Sequence, residues 1–384
     1  MRKASLFANT YGMGLFFLIA AVAVPGLYAA GVIDISDVNR YGRYACFAIA
    51  AIGVDLIWGY TGILTLCHAM FFCFGGYAMG MYLAHNGPLD GDSIPRCLFV
   101  VSSEVSGLKL PWFWEPFKSL PVSVFLALLI PGIFAFVFGY FAFRSRVKGV
   151  YFSIITQATT LAAFNVFCLN QVKLCGTNGL TNFVTLAGHD LNQPATKVGL
   201  YILSVAALIA AYYGCKFVVK SRLGRILIAI RDNENRLRFS GYQPAYFKVF
   251  AFAFSAMLAG IAGMLYVPQN GIITPSVMLP VESIVMVVWV AMGGRGTLSG
   301  AVIGAIVFSV LRAKLTTELP NAWPFVLGGI AIAVVLFLPR GIIGTFIPEE
   351  GERKIESSDK PPLPDAPVPS APASVTVTQE GAKA

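Results

Sequence analysis

The side chains of this chain that could act on a polar solute are few, and most lie within apolar runs. Asp55 is the single carboxylate inside such a run, with Trp58 and Tyr60 close by. A charged group at the centre of a bilayer costs about 2.5–3.5 kcal/mol on insertion scales, so Asp55 requires a partner or a water-filled cavity. It either hydrogen-bonds a polar solute or ties the break at Gly59–Gly62, which contains Thr61; the residues alone leave both open. His68 follows in a Gly- and aromatic-rich stretch, where a lone helical histidine is more often a structural hydrogen-bond partner than a site. Further on, Thr156, Gln157, Thr159, Thr160 and Asn165 fall in one run, with Thr156 and Thr160 on a shared face at i, i+4 and Gln157 beside them. Threonines also bond back to their own helix or join helices, which makes this stripe a weak pathway signal. The pathway candidates are therefore Asp55, Thr61, His68, Thr156, Gln157, Thr160 and Asn165.

Other chemistries find no support. The histidines His68, His85 and His189 show no metal-ligand spacing, and no phosphate-binding G-x-x-x-x-G-K-[ST] loop, H-E-x-x-H or G-x-S-x-G occurs. No catalytic, cofactor-binding or metal-binding residue is expected. Cys46, Cys67, Cys73, Cys168 and Cys215 sit in or at the ends of apolar runs, where cysteine behaves as a small hydrophobe. Cys97 and Cys175 fall in loops and are free to pair in an oxidising compartment, but their spacing does not argue for it.

The elements that must position these residues are membrane spans. With 57% hydrophobic residues, 12% charged residues and a mean hydropathy of +0.71, the composition is that of an integral membrane protein. The expected fold is an all-α bundle of about ten transmembrane helices, near 12–33, 43–61, 63–84, 121–143, 149–169, 198–219, 246–267, 283–294, 297–313 and 323–346. The second and third are parted by little more than Gly59–Gly62, and the eighth is short, so these are the places for broken or re-entrant helices. Lys and Arg concentrate at 144–148 and 216–248, which places those loops and both termini in the cytoplasm. That asymmetry accounts for the net charge of +9 without a nucleic-acid partner. The first run is longer than a secretion-signal core and lacks a clean cleavage site, so it is expected to remain as a span. The permease domain would cover 1–347, with outside loops at 85–120 and 170–197. The Pro- and Ala-rich stretch 348–384 is expected to be a disordered cytoplasmic tail.

Between two spans lies SRLGRILIAIRDNENRLRFSGY, residues 221–242, a basic island in an apolar chain. Leu223, Ile226, Leu227 and Ile230 recur at helical spacing, so an apolar ridge with outward arginines is expected. Gly224 and Gly241 bracket it, and Pro244 ends it. The segment 221–243 is read as a cytoplasmic helix that docks onto a soluble motor subunit. A plain basic loop that only sets topology is the alternative. The run AMGGRGTLSGAVIGA puts Arg295 in a tight glycine turn at the same end, which would extend one docking surface. Gly75, Gly76, Gly80, Gly260 and Gly263 permit close helix contact.

Taken together, GYTGILTLCHAMFFCFGGYAMGMYLAHN, KGVYFSIITQATTLAAFN, CGTNGLTNF, SRLGRILIAIRDNENRLRFSGY and WVAMGGRGTLSGAVIGA resemble the permease subunits of branched-chain amino acid-type ABC importers. They occur in the family's order between residues 40 and 345. Asp55-Leu56-Ile57-Trp58, Leu110-Pro111-Trp112-Phe113-Trp114 and AIRDNENRLRFSGY look like the urea-transporting members of that family. The chain has Thr65-Leu66-Cys67-His68 where the family usually reads S-L-G-H, and Cys175 where it has glycine, so local packing should differ there.

The resemblance implies a permease of the bacterial inner membrane that works with a second homologous permease, two cytoplasmic ABC ATPases and a periplasmic solute-binding protein. Alternating access would be driven by the partner ATPases, with urea as the expected solute and a branched-chain amino acid as the alternative. A passive solute channel is the reading from another class, but it leaves the 221–243 segment without a role. Coupling to the ATPase is expected at Leu223, Gly224, Arg225, Ala229, Ile230, Arg231, Asp232, Glu234 and Gly241. The outside loops would receive the binding protein, with Trp112, Trp114 and Phe117 as aromatic anchors or as residues of the membrane interface.

Overall fold

Proline and glycine set the ends of the helices. Prolines stand in the first turns of the helices that begin at Leu120, Pro194, Pro244 and Pro280, where a missing N–H costs nothing. Gly62 and Gly271 take left-handed φ of 74° and 75° to stop the helices that end at Thr61 and Asn270. In a computed structural model, residues 2–87, 89–90, 94–95, 97–98, 110–145, 147, 149–320, 322–337 and 341–344 are described. The helices are α1 (Arg2–Ala29), α2 (Ile35–Thr61), α3 (His68–His85), α4 (Leu120–Arg144), α5 (Val150–Cys168) and α6 (Pro194–Lys220). They continue with α7 (Arg222–Phe239), α8 (Pro244–Asn270), α9 (Pro280–Gly293), α10 (Leu298–Glu318), α11 (Trp323–Phe337) and α12 (Gly341–Gly344).

This is an all-α membrane bundle. Seven of the helices, α1, α2, α4, α5, α6, α8 and α10, are long and apolar enough to cross a bilayer. The other expected spans differ for identifiable reasons. The third begins at His68 rather than residue 63, because 62–67 is not helical, and it carries a histidine at each end. The eighth, α9, has only 14 residues, short for ~30 Å of hydrocarbon. The tenth, expected over 323–346, divides into α11 and the single turn α12, with 338–340 and 345–346 outside the described residues. The tail expected at 348–384 also lies outside them.

The core is built on α2, α3 and α8. The apolar stretch of α2 is 89% buried and that of α8 72%, against 11% for α1 and 22% for α5. The outward faces of α1, α4 and α5 therefore need lipid or another apolar chain to cover them. Between α3 and α8 the contact is backbone to backbone. A Cβ on Gly75 would stand 2.0 Å from the Gly260 carbonyl oxygen, and one on Gly263 would stand 1.8 Å from that of Phe72. Only glycine permits that approach.

At the end of the bundle where α2 begins, two short hairpins, Leu89–Asp90 with Ile94–Pro95 and Thr185–Leu186 with His189–Asp190, lie in the loops expected outside. Leu180 pairs with Ile273 through two backbone bonds of 2.8 and 3.0 Å, which ties the 170–197 loop to the α8–α9 connection. Of the three aromatic anchors expected here, only Trp112 is exposed; Trp114 and Phe117 are buried. The Trp114 indole N–H donates to the Lys173 carbonyl at 3.1 Å, and its carbonyl accepts from His85 Nε2 at 3.1 Å. Trp114 thus joins the two loops and is not available to a partner. Cys175 holds a left-handed φ of 65°, at the position where the resembling family has glycine. Its hydrogen bond with the Cys97 side chain, together with burial, pushes its thiol far above the ordinary range.

Candidate functional site

Three segments meet at the far end of α2: its last turn, the glycine turn between α9 and α10, and α7. Asp55 is wholly buried, and its Oδ1 accepts from the Gly296 N–H at 2.7 Å. Gly59, one turn on, allows this, since a Cβ there would stand 2.3 Å from Asp55 Oδ1 and 2.6 Å from the Gly296 nitrogen. The turn itself needs positive φ at Gly294 (124°) and Gly296 (77°). Arg295 projects from it, exposed, with its guanidinium 5.5 Å from the Trp58 ring centroid. This bond ties α2 to the turn between α9 and α10, a contact that neither role expected for Asp55 had named.

α7 departs from the single helix expected over 221–243. Asn233 is extended (φ −159°, ψ 92°), and its Oδ1 accepts from Arg236 N at 3.0 Å, so it caps a second short helix. At the start, Ser221 Oγ accepts from Leu223 N at 3.2 Å. Gly224 fits where a Cβ would stand 1.9 Å from the Val219 carbonyl oxygen, which explains the sharp reversal out of α6. The apolar ridge turns inward: Leu227 and Ile230 are buried, while Leu223, Ile226 and Ala229 are half-buried. It is therefore spent on this chain's own core, and the exposed face carries Arg222, Arg225, Asp232, Asn235 and Arg236. Gly241 is exposed at φ 83°.

Arg231 does not point out with Arg222, Arg225 and Arg236. Its side chain is 14% exposed, lies against Gly62, and its Nη1 donates to the Gly59 carbonyl at 3.0 Å. Its Nε reaches Asp232 Oδ1 at 3.3 Å. Glu234 accepts from Arg238 Nη2 at 2.6 Å and from Lys248 Nζ at 2.7 Å, which joins α7 to the first turns of α8. Lys248 is itself buried, its Nζ 5.9 Å from the Phe143 ring centroid. Thr61, Arg231, Glu234 and Lys248 line a cavity of about 190 Å³ beneath α7.

The remaining polar candidates serve the non-helical stretch 62–67. Ser153 Oγ donates to the Leu64 carbonyl at 2.8 Å, Thr156 Oγ1 accepts from Leu66 N at 3.1 Å, and Thr160 Oγ1 donates to the Leu66 carbonyl at 3.1 Å. The threonine stripe is thus the partner of a broken helix's backbone. Gln157 is half-buried beside it, and Asn165 is exposed on the outward face of α5. Thr61 donates to the Ile57 carbonyl. His68 lies in a directed chain. Ser255 Oγ donates to the Gly53 carbonyl at 2.5 Å, so it accepts from His68 Nε2–H at 2.6 Å, and Nδ1 then accepts from Thr65 Oγ1 at 2.8 Å. That chain fixes α3 to α8 and α2.

Sequence reasoning missed two features. Phe239, at the end of α7, is 92% exposed. It stood in the quoted motif, but its isolation becomes visible only once Asn233 turns the chain. The second is a cavity at the opposite end of α2, where Arg43, Glu282 and Arg312 converge from three helices. Their separation in sequence gave no signal. Among the described residues, no group of three or more His, Cys, Asp or Glu is placed to hold a metal ion.

An apolar helical bundle broken around buried polar ties, with a charged helix folded against one end, is the architecture of a multi-pass membrane protein. The chain belongs to the family described as branched-chain amino acid transport system / permease component, which matches residues 36–336. It is 24% identical to the high-affinity branched-chain amino acid transport system permease protein LivM of Escherichia coli K12, over 85% of this chain and 73% of that protein. It is 21% identical to BraD of Pseudomonas aeruginosa, over 80% of this chain and 94% of that protein. LivH of E. coli K12 is 24% identical, over 78% and 91%. All three are named as transport permeases, not enzymes. No solved structure matches the chain.

Proposed function

We propose that this chain is one permease subunit of an ABC importer for branched-chain amino acids, and that α7 is where the force of ATP hydrolysis enters it. The observation that carries the coupling role is Arg231. A side chain on the charged helix reaches the carbonyl of Gly59, at the broken end of α2, 172 residues away in sequence. Glu234 and Lys248 make the second link, into α8. A push on α7 thus has two polar connections into the core, and the exposed face with Phe239 is left for the motor.

The partners that follow are a second homologous permease, two cytoplasmic ATPases and a periplasmic binding protein. The outward apolar faces of α1, α4 and α5 suit the lipid and the second permease. The positive-inside bias puts α7 in the cytoplasm and the cavity at Arg43 on the periplasmic side.

As solute, a branched-chain amino acid is favoured over the urea expected from sequence, because the family and the relatives above carry that name. Uptake of labelled leucine and labelled urea by the assembled transporter decides between them. Leucine uptake that needs ATP, and that is lost in a chain carrying Arg231→Ala and Glu234→Ala, is the expected result. Normal leucine uptake in that double variant overturns the coupling role, and uptake of urea alone overturns the solute.

A further inference from the structure

The cavity at the α7-distal end of α2 has a volume of about 520 Å³, within the ~300–1,000 Å³ usual for small-molecule sites. Its floor is aromatic: Phe47 lies 5.4 Å from Tyr266 and 5.1 Å from Trp289, centroid to centroid, and Trp289 lies 6.5 Å from Phe308. Its rim is charged. Arg43 Nη1 donates to Asn270 Oδ1 at 2.9 Å, while its buried Nε has no acceptor among the described residues. The Trp289 indole N–H is also buried without an acceptor, on a side chain only 3% exposed. Such donors are costly when left unmet. Both side chains line the cavity, so a small rotation of either would offer a donor to a guest rich in acceptors. Across the rim, Glu282 and Arg312 are paired at 3.3 Å through both oxygens, longer than the ~2.7–2.9 Å of a tight charge-assisted bond. Both side chains are about one-third exposed, and Arg312 also lies 5.4 Å from the Trp323 ring centroid. That loose pair leaves Glu282 able to receive a cation.

We infer that this cavity is a binding site for a zwitterionic aliphatic amino acid, whose carboxylate is held by Arg43, whose ammonium meets Glu282, and whose side chain lies on the Phe47–Tyr266–Trp289 floor. The inference rests on the reading of the chain as an amino acid permease and adds to it a site within this subunit. Urea carries an acceptor for the unmet donors but has neither a cation for Glu282 nor an apolar body for the floor.

The test uses the full chain in lipid nanodiscs. L-leucine, 4-methylpentanoate (no ammonium), isopentylamine (no carboxylate) and urea are compared as ligands. Saturable leucine binding is expected, weakened at least tenfold by Arg43→Gln. Glu282→Gln should weaken leucine but not 4-methylpentanoate, and urea should bind no variant. Because a substitution at Arg43 can disturb folding, a second measurement leaves the site intact. Thr316→Cys, at the cavity wall, is alkylated with a maleimide, and leucine but not urea should slow the reaction severalfold. Absence of leucine binding, leucine binding indifferent to Arg43→Gln, or equal protection by urea overturns the site. If the assembled transporter still takes up leucine in those cases, the proposed function stands without it. Binding here with no leucine uptake supports the site and removes the proposed solute.

Discussion

At the scale of single residues, the buried glycines make the sharpest prediction. Gly263→Ala places a methyl group 1.8 Å from the Phe72 carbonyl oxygen and must part α3 from α8. A loss of several kcal/mol is expected, near the upper range for single substitutions, read as a fall in thermal midpoint and yield of the folded protein. Gly214→Ala is the control. Nothing lies within 4 Å of its Cβ position in α6, so it should be neutral or stabilising by up to ~1 kcal/mol. Both are helical glycines in apolar runs; Gly263, three residues after Gly260, is among those expected at a close helix contact, and Gly214 is not. Sequence was less explicit for Asp55 and the threonines. Their types announced that a buried polar group needs a partner, but the partner of Asp55 is a backbone N–H 241 residues away. No spacing rule reaches that far.

At the scale of elements, the apolar runs located nearly every helix, because hydrocarbon thickness leaves few choices of length and burial. The break after α2 was legible in Gly59-Tyr60-Thr61-Gly62. The inward turn of the α7 ridge was not, since amphipathic spacing says that a helix has an apolar face but not which body covers it. The capping role of Asn233 yields a test. Asn233→Ala should cost about 1 kcal/mol locally and raise amide exchange over 234–240, with little change in 222–232. Phe239→Ala should leave the fold untouched, because the side chain is exposed, yet should reduce association of the ATPase with the permease pair. Unchanged association in that variant removes Phe239 from the docking face.

At the scale of the whole molecule, much of the surface of α1, α4 and α5 is unfinished. Val150, Tyr151, Phe125, Phe141 and Ile154 each expose more than half of their area. The chain in liposomes by itself should therefore neither hydrolyse ATP nor accumulate leucine, whereas adding the second permease, the ATPases and the binding protein should give ATP-dependent uptake. Flux down a gradient through the lone chain would favour the channel reading instead.

The backbone contact of α3 with α8 has a mechanical consequence. Side chains at a helix interface act as springs: they change rotamer and absorb a small displacement before passing it on. At Gly75, Gly260 and Gly263 no side chains are interposed, so the two main chains bear on each other directly. On the proposed coupling, a shift delivered at Lys248, near the start of α8, would reach α3 through these contacts with little give. The pair would then move as one stiff lever, its stroke set by whatever drives α7 rather than by the give of the joint.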